Sequence, residues 1–247
     1  LVKEIVDRVT VTGADDSIHP KKLVEIYEKY RGLVEFGILF SPDCEGIPRF
    51  PSAVWLAELT DINKSLPEKL PLSAHLCGNW VKAICEDGNM FFMKHHNILW
   101  MFQRFQLNFH GQLHKVHPHQ FLAHVANLSR HGRQLIFQMD GVNDKLLRMV
   151  KERRPEANVA AIFDRSSGGG ILPEEWPRVI KDCYCIYSGG LSPDNLDGQM
   201  EKIVKVASPG PIGLDLERNL RSSDDKQFVL GKTYDSLEAT KPWVKKN

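Results

Sequence analysis

Apolar and polar residues along this chain fall into two periods that take turns. Runs of about four to eight apolar residues close on polar or glycine-containing turns, and a stretch with apolar positions every three to four residues follows each. The first pair is "RVTVTGADD", a strand with its turn, then "PKKLVEIYEKYRG", where Leu23, Ile26, Tyr27 and Tyr30 share a helix face and Gly32 stops it. "LVEFGILFS" and "SAVWLAELTDIN" form the second pair, "LPLSAHLCG" and "NWVKAICED" the third, "RFQLNFHG" and "PHQFLAHVANLSRHG" the fourth. The fifth is "QLIFQMD" with "NDKLLRMVKERRP", and the sixth is "NVAAIFDRSSGGG" with a weaker helix around "PEEWPRVIKD". "CYCIYSGG" precedes "SPDNLDGQMEKIVKVA", and "GPIGLDLE" precedes a closing helix over "SLEATKPWVKK". The stretch "DGNMFFMKHHNILW", residues 87–100, is apolar without a clear period and reads as the end of the third helix and its return loop.

Strict alternation of strand and helix implies parallel strands joined by helical crossovers. Eight such units in 247 residues predict an α/β protein with a single domain over residues 1–247, a (β/α)8 TIM barrel. An open doubly wound sheet is the runner-up. It would place a glycine fingerprint after its first strand, and "VTGADD" is not one. Composition agrees with one large core, since 42% of residues are hydrophobic and 26% charged. The formal charge of +1 supplies no basic field for nucleic acid or an anionic membrane surface. No apolar run approaches bilayer length, and the first residues are too charged for a secretory signal. Five cysteines, odd in number and without metal-type CxxC pairing, suggest free thiols and a cytoplasmic protein. The apolar 87–100 stretch is a candidate surface for a homo-oligomer.

In such a barrel the chemistry sits at the C-terminal ends of the strands. The polar residues expected there are Thr12, Asp15, Asp43, Arg49, His75, Cys77, Gln106, Asn108, His110, Gln138, Asp140, Asp164, Arg165, Ser188, Asp215, Glu217 and Arg218. Rim residues are free to be polar simply because water reaches them. Asp164 resists that explanation, because it directly follows "VAAIF", a run buried on both faces. In "CIYSGGLSPDN", Gly189 and Gly190 end a strand just before a helix. Without Cβ atoms their N–H groups are open to a phosphate, and the helix N-terminus adds unpaired donors. Ser192 reads as the N-cap and Pro193 as an early helical position. A plain capped turn explains the same residues, but the seventh unit is where phosphate sites of these barrels occur. His110, His114, His117, His119 and His124 crowd one span; surface or capping roles fit them better than a metal site, since no carboxylates interleave. His75, beside Cys77 at a strand end, is a candidate acid or base, or a hydrogen-bonded core histidine.

These pieces together resemble phosphoribosylanthranilate isomerase, over nearly the whole chain and in order. "VTVTGAD" is similar to that family's Val-Lys-Ile-Cys-Gly opening strand, and "FGILFSPDCEGIPRFPS" to its second strand and arginine-bearing loop. "FQLNFHG" resembles Val-Gln-Leu-His-Gly, "AAIFDRSSGGG" the strand ending in a catalytic aspartate, and "SGGLSPDN" the Gly-Gly-Leu-Pro-Glu-Asn phosphate turn. "IGLDLERNLRS" is similar to the last strand, Val-Asp-Val-Ser-Ser-Gly-Val-Glu. The resemblance implies an Amadori rearrangement with Asp164 as acid, Arg49 holding a substrate carboxylate, and Gly189, Gly190 and the turn after Asp215 seating a phosphate. It places Thr12, Gln106, Asn108 and Asp215 around the substrate. Three positions depart from the pattern. Thr12 stands where the family has its base cysteine, and a hydroxyl does not replace a thiolate as proton acceptor. Asn108 replaces a histidine, and Glu217-Arg218-Asn219 replaces Ser-Ser-Gly.

The resulting expectation is a divergent isomerase-like barrel acting on a phosphorylated sugar or similar small anion, with no cofactor. Asp164 is the expected acid, Cys77 or His75 a relocated base, and Arg218 an attractor of phosphate. A barrel that binds a ligand without catalysis is the alternative, and a metal-dependent hydrolase or lyase built on the histidine-rich span is a third.

Overall fold

A computed structural model describes residues 4–87, 95–109, 118–130, 132–141, 144–164 and 168–246. Eight parallel strands close into a barrel in sequence order. They are β1 (Val6–Thr12), β2 (Val34–Phe40), β3 (Leu72–Cys77), β4 (Arg104–Asn108), β5 (Gln134–Gln138), β6 (Val159–Phe163), β7 (Tyr184–Ser188) and β8 (Ile212–Leu216). Around them run α1 (Lys21–Lys29), α2 (Ala53–Ser65), α3 (Asn79–Asp87), a short α4 (His96–Leu99), α5 (Pro118–Arg130), α6 (Asp144–Arg153), α7 (Leu196–Ala207) and α8 (Leu230–Thr240). The protein is a (β/α)8 barrel. The main core lies between strands and helices, where outward residues such as Val9, Phe36, Leu107 and Phe137 meet helix residues such as Leu23, Leu59 and Val125. No helix among the described residues is long and apolar enough to cross a membrane.

Three local expectations change. The helix expected around 173–182 does not form, and residues 170–180 have no regular helical or strand structure. Pro173 and Pro177 remove backbone donors that a helix would need. Trp176 packs the space instead, edge-on to Tyr187 at 5.7 Å, with its Nε1 donating to Gln199 Oε1 at 3.0 Å. The Tyr187 hydroxyl donates to the Pro177 carbonyl at 2.8 Å. The closing helix begins at Leu230 and ends at Thr240, giving way to a 3-10 turn at Lys241–Trp243 that contains Pro242. Its buried face carries Thr233, Ser236 and Thr240 beside Leu237, so hydrophobicity alone under-reports it. Finally, α7 begins at Leu196, with Asn195 in the capping position rather than Ser192. Residues 88–94 of the apolar stretch lie outside the described residues, and α4 occupies part of the remainder.

The barrel interior is divided by chemistry. On the side of β5–β7 it is apolar, with Ile136, Ala160, Ile162 and Ile186 forming a cluster separate from the main core. On the side of β1–β4 it is polar. Arg104 reaches across to Glu35, Nη1 to Oε1 at 2.7 Å, and donates through Nε to Gln134 Oε1 at 2.8 Å. Thr10 donates to Glu35 Oε1 at 2.9 Å. Above this pair, Gly37 is the spacer for two inward side chains. A Cβ there would overlap the Thr12 hydroxyl and lie 2.7 Å from His75 Cε1.

Gly37→Ala is expected to lower unfolding stability by about 1–3 kcal/mol, the usual cost of overpacking. Gly198→Ala, on α7 with open space at its Cβ, is expected to be neutral or to gain up to about 1 kcal/mol from helix propensity. Urea unfolding of the two variants measures both.

Candidate functional site

The mouth at the C-terminal ends of the strands collects three carboxylates. Asp215, on β8, is 4% exposed, and its Oδ1 accepts the Thr12 hydroxyl at 2.6 Å. Burial pushes its carboxyl well above the ordinary range; the Thr12 bond opposes this, and the charges of Glu217, Asp164 and Glu35 add to it. Glu217, one residue past β8, is raised to about 7. Burial is the main cause, Arg49 opposes it, and Asp164 and Asp225 reinforce it. Asp164, one residue past β6, is 8% exposed. Its Oδ2 accepts the Gly168 N–H at 3.2 Å, and its carbonyl accepts Gln138 Nε2 at 3.3 Å.

Two arginines hold this rim together. Arg49, on the loop after β2, adopts a left-handed φ of 77°, unusual without glycine. Its backbone N–H donates to Asp15 Oδ2 at 2.6 Å. Its Nε meets Asp225 Oδ2 at 2.6 Å, and its Nη1 reaches both Glu217 Oε1 at 3.0 Å and the Gly168 carbonyl at 3.1 Å. Arg221, without exposed surface, binds the Gly13 carbonyl, Asp15 Oδ2 at 2.8 Å and Asp225 Oδ1 at 2.8 Å. Burial alone would raise Asp15, but bonds from Ser17 and Arg49, with the Arg221 charge, bring it below the usual carboxylate value.

The expected base candidates sit on the polar side. Gln106 Nε2 donates to Asn108 Oδ1 at 3.0 Å, and Asn108 Nδ2 to Cys77 Sγ at 3.3 Å. Burial pushes the Cys77 thiol up to about 12, so it stays protonated at neutral pH. Burial, with the Arg104 charge, drops His75 to about 3, and neither ring nitrogen has a hydrogen-bond partner among the described residues. His75 is therefore a neutral imidazole inside the barrel, below the mouth.

Gly189 and Gly190 take φ values of 107° and 69°. A Cβ on Gly190 would lie 2.6 Å from Leu172 N, so glycine lets residues 171–172 pack directly on the turn. Asn219 Nδ2 donates to the carbonyls of Gly190 and Leu191, each at 3.0 Å, tying the eighth turn to the seventh. Arg218 directs its guanidinium to the Ser222 and Ser223 carbonyls. The hollow between these turns measures about 10 Å³ and is lined by Gly168, Gly170, Ser188 to Leu191 and Asp215 to Asn219. That is room for roughly one water. A second, mainly apolar hollow of about 80 Å³ shares Ser188 and is walled by Met139, Phe163, Pro173 and Trp176. The larger cavity of about 390 Å³ lies at the opposite end of the barrel around Arg8, Glu35 and Lys69, away from these carboxylates.

Thr12, Asp164, Asp215 and Arg49 thus converge on one rim, with Gly189, Gly190 and Arg218 beside it. Cys77, Gln106 and Asn108 form a hydrogen-bonded row toward β3 and β4. His110, His114, His117 and Arg165 lie outside the described residues. His119 is exposed and His124 half-buried on α5. Among the described residues no three His, Cys, Asp or Glu side chains are grouped to hold a metal ion. From the sequence, Glu217 stood only among the polar rim residues and in the triplet that replaces Ser-Ser-Gly. The crowding of charges in "DLERNLRSSDD", straight after a buried strand, was the available signal for a rim network.

No family model matches this chain, and no curated protein sequence does. Solved structures match it in shape. The tryptophan synthase alpha subunit of Legionella pneumophila superposes with a TM-score of 0.53 at 12% identity, over 97% of this chain and 92% of that one. DAHP synthase of Thermotoga maritima gives 0.53 at 9% identity, over 99% and 72%. TrpF of Jonesia denitrificans gives 0.49 at 12% identity, over 96% and 97%. At these identities the likeness is one of fold.

Glu217 makes a prediction about stability. Its folded value of about 7 stands above its ordinary 4.5, so the proton it holds favours the fold fully below pH 4.5. That contribution is lost as pH rises through 7. Unfolding free energy of the unaltered protein should therefore decline between pH 5 and 8. Glu217→Gln should flatten that decline by on the order of 1–3 kcal/mol, measured by urea unfolding across the range.

Proposed function

We propose that the barrel mouth is an acid–base site for a small anionic ligand, and that the reaction is an isomerisation of the aldose–ketose class on a phosphorylated sugar or a close analogue. The observation that carries the reading is Glu217, a partly buried carboxyl raised to about 7 beside Asp164 and Asp215. A group poised near neutrality can both give and take a proton at working pH. Asp164 and Glu217 divide the roles. Glu217 supplies the proton to the substrate oxygen. Asp164, whose Oδ2 already faces a backbone donor as an acceptor, removes the proton from the carbon beside the carbonyl. The enediol formed in that step collapses when Asp164 gives its proton to the neighbouring carbon and the Glu217 carboxylate takes the proton of the second hydroxyl, which restores both groups. This allocation differs from the one the isomerase resemblance implies, where Asp164 is the acid. Cys77 keeps its proton at working pH, and His75, dropped to about 3, holds a proton too weakly to take one from carbon, so the base role passes from them to a carboxylate.

Gly189 and Gly190 with Arg218 would receive the anionic group, and Thr12 holds Asp215 in place through its hydroxyl. The second reading is a ligand-binding barrel without catalysis. It is favoured by the close-fitting seat of about 10 Å³, which no anion larger than water enters without side-chain movement.

Purified protein supplied with sugar phosphates, phosphoribosylanthranilate first, is expected to catalyse isomerisation. Asp164→Asn and Glu217→Gln should each lower kcat by about 100-fold or more. Activity should fall as pH rises above about 7, where Glu217 loses its proton. Binding without turnover across the panel would favour the second reading.

A further inference from the structure

We infer that an oxyanion enters the seat between the seventh and eighth turns together with a proton that settles on Glu217, so that the ligand itself loads the acid of the site. The inference rests on the anion-seat reading above. Its basis is that Glu217 faces two ways. It lines the seat together with Asp215, and it is clamped by Arg49 Nη1 at 3.0 Å. The same Nη1 holds the Gly168 carbonyl at 3.1 Å. A Cβ on Gly168 would sit 3.2 Å from Glu217 Oε1 and 3.4 Å from Arg49 Nη1, so the 168–170 chain closes directly over the ion pair. Gly170 in turn lies against the Arg218 stem. One guanidinium therefore ties the wall of the seat, its acidic lining and its cover.

A tetrahedral oxyanion does not fit a hollow of about 10 Å³, so it needs this tie to loosen. Protonation of Glu217 removes the charge that holds Arg49 to it, and it removes the repulsion an anion would meet. The groups facing Glu217 are Arg49 from the loop after β2, Asp164 after β6, Asp215 on β8, Asp225 and Arg221 on the 218–229 segment, and Cys77 at the end of β3. Arg221 and Arg49 are already paired with Asp225, so neither is an uncommitted cation for the arriving charge. A further negative charge beside Glu217 strengthens its hold on a proton. By linkage, the anion then binds more tightly as the proton becomes more available.

Sulfate is the probe, because it does not titrate in the working range. Its binding is measured by calorimetry from pH 5.5 to 8.5 in buffers of different protonation heat. The expected result is a dissociation constant that rises about tenfold per pH unit above pH 7, with about one proton taken up per sulfate. Glu217→Gln, nearly the same size, should bind sulfate with a flat pH profile and no proton uptake. Calorimetry on the unaltered protein decides even if that variant folds poorly. Sulfate binding that is flat with pH and independent of buffer heat overturns the inference while leaving the seat intact. Proton uptake that persists in a folded Glu217→Gln also overturns it. Absence of sulfate binding at every pH removes the seat reading, and the inference with it.

Discussion

The upper half of this barrel depends on one buried guanidinium. Arg221 has no exposed surface, and it joins the Gly13 carbonyl at the end of β1 to Asp15 and to Asp225. A buried arginine is tolerated only when its donors are matched, and the groups that match it become fixed in return. Asp15, held by Arg221, accepts the Arg49 N–H and so draws the loop after β2 into the rim despite its left-handed φ. Arg49 then reaches Asp225, Gly168 and Glu217. The position of Glu217 is thus the last link of a chain that starts at Arg221, and its proton affinity is set by loops from three parts of the sequence.

Below the rim, the division of the interior decides on which side chemistry can occur. The middle of the β5–β7 side is packed with Ile136, Ala160, Ile162 and Ile186. The β1–β4 side carries Thr10, Glu35, Ser73, His75, Arg104 and Gln106, all buried. Such a side is stable only where its charges are paired, as Glu35 and Arg104 are. His75 meets the same demand differently, by giving up its charge. Asp215 and Glu217 stand at the end of β8 and Asp164 at the end of β6, withdrawn from solvent and close to one another, and this is why Asp215 and Glu217 are both pushed upward.

The strands were legible because each is buried on both faces and stands between turn residues, which makes an apolar run visible without an alignment. The missing sixth crossover helix was not, although Pro173 and Pro177 mark the segment; the tertiary contacts of Trp176 with Tyr187 and Gln199 decide its path. Asp164 and Asp215 could be picked out because a charge ending or interrupting an apolar strand is conspicuous. Glu217 could not, because its character comes from burial under Gly168 and from an arginine 168 positions away in the chain. Sequence shows which residue types stand at the rim, while the proton affinities belong to contacts made only on closure of the barrel.

The triplet Glu217-Arg218-Asn219 fills much of the space between the seventh and eighth turns. Asn219 bridges to the carbonyls of Gly190 and Leu191, and the Arg218 stem packs on Gly170, so both close the hollow by contacts that carry no net charge. Glu217 closes it through its ion pair with Arg49. Neutral hydrogen bonds and packing respond weakly to pH, whereas a partly buried carboxyl raised to about 7 responds strongly there. These three residues therefore do more than fill the space between the seventh and eighth turns. On the proposed reading they would also make the occupancy of the seat depend on protons, with the responsive group beside Asp164 and Asp215.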